Sequence, residues 1–288
     1  MKTHLIVLTH GYLGSKKYLA YLIAQLSQIS DAYLCVSKCN QSLAGSAYDL
    51  FTMGSRLKSE ISEFLDSVDK SNLKYISFIG ISLGGLVNRV CIGLGYETGK
   101  IYDLEPLYYI SFATPHLGIT DSKQIYHSAC RVVSKNKEVC FELNLESDFL
   151  KSTTLPDSKY FKGLSSFGAR YLFVNIRNDG IVNYNTSSIS YVDYKDLINY
   201  DHPKTKHILE VALPYTEDTE RLKNVLNPDL YTMYRNLNTL EYTRVLCDMN
   251  YKFGFLAHTK IYASNFLNSK LDGTDIVDYM IDCISFKN

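Results

Sequence analysis

The chain has 288 residues, with 30 basic and 30 acidic side chains and no formal net charge. That balance excludes the basic footprint that nucleic-acid binding requires, and the length allows a core that needs no staples. The seven cysteines are odd in number and irregularly spaced, with no Cys-x-x-Cys pair, which speaks against a secreted disulfide framework and against a zinc site.

Met1–His4 is followed by only four apolar residues, Leu5–Leu8, too few for a signal-peptide core. No apolar run reaches membrane-spanning length, so a cytoplasmic setting is expected. Leu5–Leu8 reads as a buried parallel strand ending in His10-Gly11-Tyr12-Leu13-Gly14. Leu19, Leu22, Ile23, Leu26 and Ile29 then recur at helical spacing. Ala32–Val36 is the next strand. A long helix follows, with Leu50, Met53, Leu57, Ile61, Phe64, Leu65 and Val68 on one stripe. Tyr75–Ile79 is a strand that runs into Gly80-Ile81-Ser82-Leu83-Gly84 and a helix carrying Leu86, Val87, Val90, Cys91 and Leu94. Leu107–Phe112 is another strand, ending in Thr114-Pro115-His116.

Strands alternating with amphipathic helices imply right-handed crossovers and a parallel sheet. Chemistry in such sheets gathers at the carboxyl ends of the strands, where His10-Gly11, Ser82 and Thr114-Pro115-His116 fall. Residues 119–168 lose the strand signal and read as a lid-like excursion, with helical stretches at Gln124–Val133 and Val139–Phe149. Tyr171–Ile176 resumes the sheet and ends in Asn178-Asp179-Gly180. Residues 190–228 read as a second insertion, with β-leaning pieces at Ser188–Tyr194 and His207–Leu213. Pro228 opens a helix, Thr243–Met249 could extend it on periodicity but is read as a final strand, and the loop Asn250–Ala257 delivers His258. The last helix starts at Thr274 as N-cap. The whole is expected to be a single α/β domain over 1–288. The segments read as strands add up to a minimal, mostly parallel sheet of about six strands with helices on both faces.

Strand, Gly-x-Ser-x-Gly, helix is the context of a nucleophile elbow. Gly80 and Gly84 meet its need for small residues two positions either side of Ser82. A serine hydroxyl needs a base, and the base a carboxylate to hold it. In this fold the chain order is Ser, then Asp or Glu, then His. Asp179 after a strand and His258 after the last one fit that order. Asp157, Asp193, Asp196 and Asp201 are rivals for the acid, and His202 and His207 for the base. His4 and His127 read as structural or surface residues. The oxyanion of a tetrahedral intermediate needs two backbone donors, here the N–H groups of Leu83 and of Tyr12 in the turn after the first strand.

Together these blocks resemble the putative serine esterase family of lipase-like α/β-hydrolases, related to cytosolic lipid hydrolases of fungi and plants. The matching segments are Ile6–Gly14, Phe78–Arg89, Phe112–Gly118, Tyr171–Ile189 and Leu237–His258. Thr-Pro-His-Leu-Gly and Asn-Asp-x-Ile-Val are more specific than the pentapeptide. The resemblance implies hydrolysis of acyl-lipid carboxylic esters, with Ser82 as nucleophile, Asp179 as acid and His258 as base, and no metal or cofactor. Ile81, Tyr12 and Tyr242 stand where relatives often carry histidine, leucine and tryptophan, and none of these departures removes a reacting group. A thioesterase or acyltransferase would use the same triad, and a binding protein could keep the fold without the chemistry. Contact with a lipid surface would fall to the lid's apolar residues, although no stretch there is strongly amphipathic.

Overall fold

A computed structural model describes residues 1–41, 45, 48–119, 138–198, 203–212, 219–265 and 270–285. The strands are β1 (His4–Thr9), β2 (Ala32–Val36), β3 (Tyr75–Ile81), the short pair β4 (Tyr96–Glu97) and β5 (Lys100–Ile101), β6 (Glu105–Phe112), β7 (Ala169–Asn175), β8 (Ile208–Ala212) and β9 (Thr243–Cys247). Seven of them form one sheet in the order β2-β1-β3-β6-β7-β9-β8. The first six run parallel, and β8 pairs antiparallel with β9 at the edge. This is the α/β-hydrolase fold. The sheet has one strand more than the sequence suggests, because the second insertion supplies β8. Its other β-leaning piece, Ser188–Tyr194, is not a strand: a helical turn ends at Ser188, and Ile189 takes a left-handed conformation.

Alternate residues of each strand point to opposite faces, so Leu5 and Val7 join one core while Ile6 and Leu8 join another. Helix α1 (Ala20–Leu26) and the C-terminal α11 (Thr274–Ser285) pack on the Ile6/Leu8 side. Helices α2 (Leu50–Asp66) and α3 (Leu83–Gly95) pack on the other. The stripe on α2 is Leu50, Met53, Leu57, Ile61 and Leu65, all buried, and Asp49 caps its start by accepting from Thr52 N at 2.7 Å. A Cβ on Gly54 would lie 2.5 Å from Val90 Cγ1, so the two helices touch through that glycine.

Between β6 and β7 lie α4 (Glu138–Leu143), α5 (Phe149–Ser152) and α6 (Lys159–Ser165). The expected helix Val139–Phe149 is in fact two, parted by a turn in which Leu145 has φ 57°. The expected helix Gln124–Val133 lies outside the described residues. Helix α6 packs on α3, and α4 borders the carboxyl end of the sheet beside Ser82. Beyond β7 come α7 (Tyr184–Ser188), α8 (Thr219–Val225), α9 (Pro228–Leu237) and α10 (Gly254–Lys260). Helix α9 has Asn227 as N-cap and Pro228 in its first turn, where a missing N–H costs nothing. Among the described residues no helix is long and apolar enough to cross a membrane.

The strand order reverses at β1, with β2 on one side and β3 on the other. Such a switch point opens a crevice at the carboxyl ends. The register brings those ends level: Thr9 pairs with Gly80, Ile81 with Phe112, Phe112 with Phe173, and Asn175 with Cys247.

Candidate active site

Ser82 sits between β3 and α3 with φ 52° and ψ −124°, a conformation that costs a non-glycine residue on the order of 1–3 kcal/mol. Its surroundings enforce it. Ser82 N donates to Phe112 O at 2.8 Å, and Ser82 O accepts from Gly85 N at 3.1 Å and from Thr114 Oγ1 at 2.8 Å. A Cβ on Gly80 would lie 2.5 Å from Gly85 Cα, and one on Gly84 2.5 Å from Thr9 O and 2.6 Å from His10 O. Both elbow glycines are therefore required by backbone packing. Leu83 is the first residue of α3, where N–H groups are left without helical partners and the dipole favours negative charge.

The turn after β1 closes over the serine. A Cβ on Gly11 would lie 2.9 Å from Ser82 Cβ, so Gly11 packs directly on the Ser82 side chain and sets Tyr12 next to it. The turn is fixed by Gly14 N donating to Gly11 O at 3.0 Å. The His10 ring bridges it to the chain after β2, with Nδ1 2.9 Å from Gly11 O and Nε2 3.0 Å from Cys39 O.

Asp179 follows β7 and His258 lies in α10, 79 residues later, yet Asp179 Oδ2 and His258 Nδ1 are 2.9 Å apart and both residues are buried. The other carboxylate oxygen, Oδ1, accepts from Ile181 N and Val182 N, each at 2.9 Å. The loops carrying the two residues are laced together. Arg177 pairs with Asp248, Asn178 Nδ2 donates to Asn250 Oδ1 at 2.7 Å, and Met249 N donates to Asn175 Oδ1 at 3.1 Å. At the centre Gly180 lies against Gly254, where a Cβ on Gly254 would come within 2.5 Å of Gly180 Cα. His258 is thus delivered from the second turn of a helix that starts at Gly254, and not from the expected loop.

Ser82 and His258 face one cavity of about 280 Å³, walled also by His10, Tyr12, Ile181, Phe255 and Tyr262. Ser82, Tyr12 and Ile181 also border a narrower apolar slot of about 30 Å³, which Leu83 joins. All nine sequence-selected positions, His10, Gly11, Tyr12, Gly80, Ser82, Leu83, Gly84, Asp179 and His258, are therefore gathered at this one end of the sheet.

The rivals lie elsewhere or are engaged otherwise. His207 Nδ1 is 2.6 Å from Asp275 Oδ1, and His207 N and Thr205 Oγ1 also bond that aspartate, which ties the start of β8 to α11. Asp157 is exposed, and Asp193 caps a short 3-10 turn in which Asp196 lies. Asp201, His202 and His127 lie outside the described residues. His4 bonds Ser77 Oγ at 2.8 Å, and burial pulls its pKa down to about 4.

Sequence reasoning placed Thr114-Pro115-His116 at a strand's carboxyl end but gave neither His116 nor Arg89 a role of its own. Arg89 Nη2 donates to His116 Nδ1 at 2.8 Å, and Nη1 donates to Thr153 Oγ1 at 3.4 Å. His116 must then donate from Nε2 to Ser111 Oγ, 2.9 Å away. Burial, and secondarily the Arg89 cation, holds its pKa well below the usual range, so it stays neutral. This network pins the turn that carries Thr114, and Thr114 in turn holds the Ser82 carbonyl. The Thr-Pro-His block signalled it, but only the packing reveals the link to the serine.

The chain is 28% identical over 234 residues to "Putative lipase ROG1" of Saccharomyces cerevisiae, covering 75% of this chain and 34% of that protein. It is 25% identical over 204 residues to "Putative lipase C4A8.10" of Schizosaccharomyces pombe, covering 65% of this chain and 26% of that protein. It thus spans about a third or less of the length of these curated relatives. Among solved structures, Est1E from Butyrivibrio proteoclasticus superposes with TM-score 0.42 at 12% identity, covering 65% of this chain and 72% of that one. The Bacillus licheniformis lipase BlEst2 superposes with TM-score 0.38 at 15% identity, covering 60% and 65%. Residues 1–189, which hold the turn after β1, the elbow and Asp179, match the family described as "Putative serine esterase (DUF676)", and the chain belongs to that family.

Proposed function

We propose that this chain hydrolyses carboxylic esters, with lipid-like esters as the substrate class, through Ser82, His258 and Asp179. The observation that carries this reading is the buried 2.9 Å contact of Asp179 with His258, which itself lines the cavity that also contains the strained Ser82. With Nδ1–H donating to the carboxylate, the other imidazole nitrogen, Nε2, is the base for the serine proton. The carboxylate cannot swing away, because two backbone N–H groups hold its second oxygen.

Ser82 Oγ attacks the ester carbonyl while its proton passes to His258. The oxyanion is stabilised by the N–H groups of Leu83, at the positive end of α3, and Tyr12, in the turn packed on Ser82. The alkoxide takes the proton from His258 and leaves as the alcohol. Water then attacks the acyl-enzyme, giving its proton to His258, and the acid departs as that proton returns to Ser82. No step calls for a metal or cofactor. The lipid-like class is supported by the apolar walls of both cavities and by the "lipase" names of the fungal relatives.

The test is labelling by a fluorophosphonate probe with the wild type and Ser82→Ala side by side. The wild type should label and the variant should not. Equal labelling of the variant would remove Ser82 from its role.

A further inference from the structure

We infer that the two cavities beside Ser82 divide the ester between them, with the acyl group in the narrow slot under α4 and the alcohol in the wide cavity. This rests on the serine-hydrolase reading and sharpens its substrate: a short-chain acyl ester whose lipid-like bulk is on the alcohol side.

The direction follows from where the proton must go. When the tetrahedral intermediate collapses, the bond from carbon to the alcohol oxygen breaks, and that oxygen takes its proton from His258. His258 lines the wide cavity and not the slot. The alcohol oxygen therefore sits on the wide side, and the remaining carbon substituent, the acyl chain, is left the slot. The walls agree with this division. The slot is apolar, formed by Leu83, Ile119, Val139, Cys140, Leu143 and Val182, and offers an alkyl chain nothing to desolvate. The wide cavity is also largely apolar but carries polar groups from Ser15, Tyr18, Thr259 and Tyr262, which suit an alcohol with its own oxygens.

Size then decides the substrate. A water needs roughly 10–15 Å³ on this measure, so a slot of about 30 Å³ takes an acyl group of about two to four carbons. The wide side has about 280 Å³. Among the described residues α4 forms the slot's outer wall, and it is tied on two sides. Glu142, on α4 between the slot residues Cys140 and Leu143, accepts from Leu50 N at 2.7 Å and ties the helix to the start of α2. Ile119 N donates to Leu143 O at 2.8 Å on the other side.

The experiment measures kcat/KM for p-nitrophenyl esters from acetyl to decanoyl, and for acetates of small and large alcohols. The wild type should work best on acyl groups in the range acetyl through butyryl, fall at least tenfold by octanoyl, and favour large alcohols among the acetates. Leu143→Ala should move the acyl optimum up by two carbons or more, at about fourfold per added methylene that now fits. Cys140→Phe, at a half-buried position more tolerant of change, should depress butyryl relative to acetyl at least tenfold. Phe255→Ala should alter the alcohol preference and leave the acyl optimum in place. Thermal melts confirm that each variant folds. A profile flat or rising through octanoyl, or an acyl optimum that answers to Phe255 and ignores Leu143 and Cys140, overturns the division. If the wild type still labels with a fluorophosphonate, that result removes the division alone; if it does not label, the hydrolase reading falls as well.

Discussion

Asp179→Asn tests the acid in a way the geometry makes unusually definite. In the wild type Oδ1 accepts from Ile181 N and Val182 N and Oδ2 meets His258 Nδ1. An asparagine that keeps its oxygen on the two backbone donors turns its NH2 toward Nδ1. That nitrogen must then accept, the imidazole proton moves to Nε2, and no base is left for the Ser82 proton. The opposite rotamer restores the tautomer but aims NH2 at two N–H groups, orphaning both donors at about 1–3 kcal/mol each, or roughly 2–6 kcal/mol together. The wrong tautomer in such a triad costs on the order of 10⁴ in rate, about 5.4 kcal/mol. The cheaper route sets the loss: about 2 kcal/mol is roughly 30-fold, and the tautomer route caps it at about 10⁴-fold, so kcat/KM for p-nitrophenyl acetate should fall between about 30- and 10⁴-fold. The assay is steady-state hydrolysis, with circular dichroism to show an unchanged fold. A variant within tenfold of wild type would refute the role of Asp179.

Three further outcomes are expected. Gly84→Ala places a methyl 2.5 Å from Thr9 O and 2.6 Å from His10 O, both backbone atoms. It should lose about 2 kcal/mol or more in urea denaturation and react more slowly with the fluorophosphonate. His207→Gln breaks the link from β8 to α11 but should keep kcat/KM within about threefold of wild type; a collapse of activity without unfolding would reinstate His207 as the base. Glu142→Gln keeps an acceptor for Leu50 N but removes a carboxylate whose pKa is pushed up to about 7 by burial. Asp49 and Glu138, the like charges nearby, push it the same way. With the folded pKa above the usual 4.5, the native state binds the extra proton, so this contribution to stability is full at low pH and is lost as pH rises through about 7. The variant should match wild type near pH 5 and be the more stable of the two at pH 8 by urea midpoint, and a pH-independent difference would contradict the assignment.

The parts of this protein that are legible without coordinates are the local ones. Glycines at fixed offsets from Ser82, alternating strand and helix periods, and an Asn-Asp-Gly after an apolar run are written within a few residues of one another. They suffice for the six parallel strands and the strand–turn–helix around Ser82, because each reflects a backbone constraint acting over one turn. The readings that changed depend on partners distant in the chain. Strand β8 is weak by itself and exists by pairing with β9 and by the His207 anchor on α11. His258 comes from a helix because Gly254 must lie against Gly180, a contact across 74 positions that no spacing rule contains.

From its sequence alone this protein is set as a doubly wound sheet with a serine at a glycine-flanked turn. Only the tertiary structure brings Asp179 onto His258, links Thr114 through His116 to the buried Arg89, and sets a narrow slot against a wide cavity on either side of Ser82. The physical reason is that conformation at a turn is determined by neighbouring residues, whereas the size and polarity of a cavity are determined by whichever side chains packing forces to the same place.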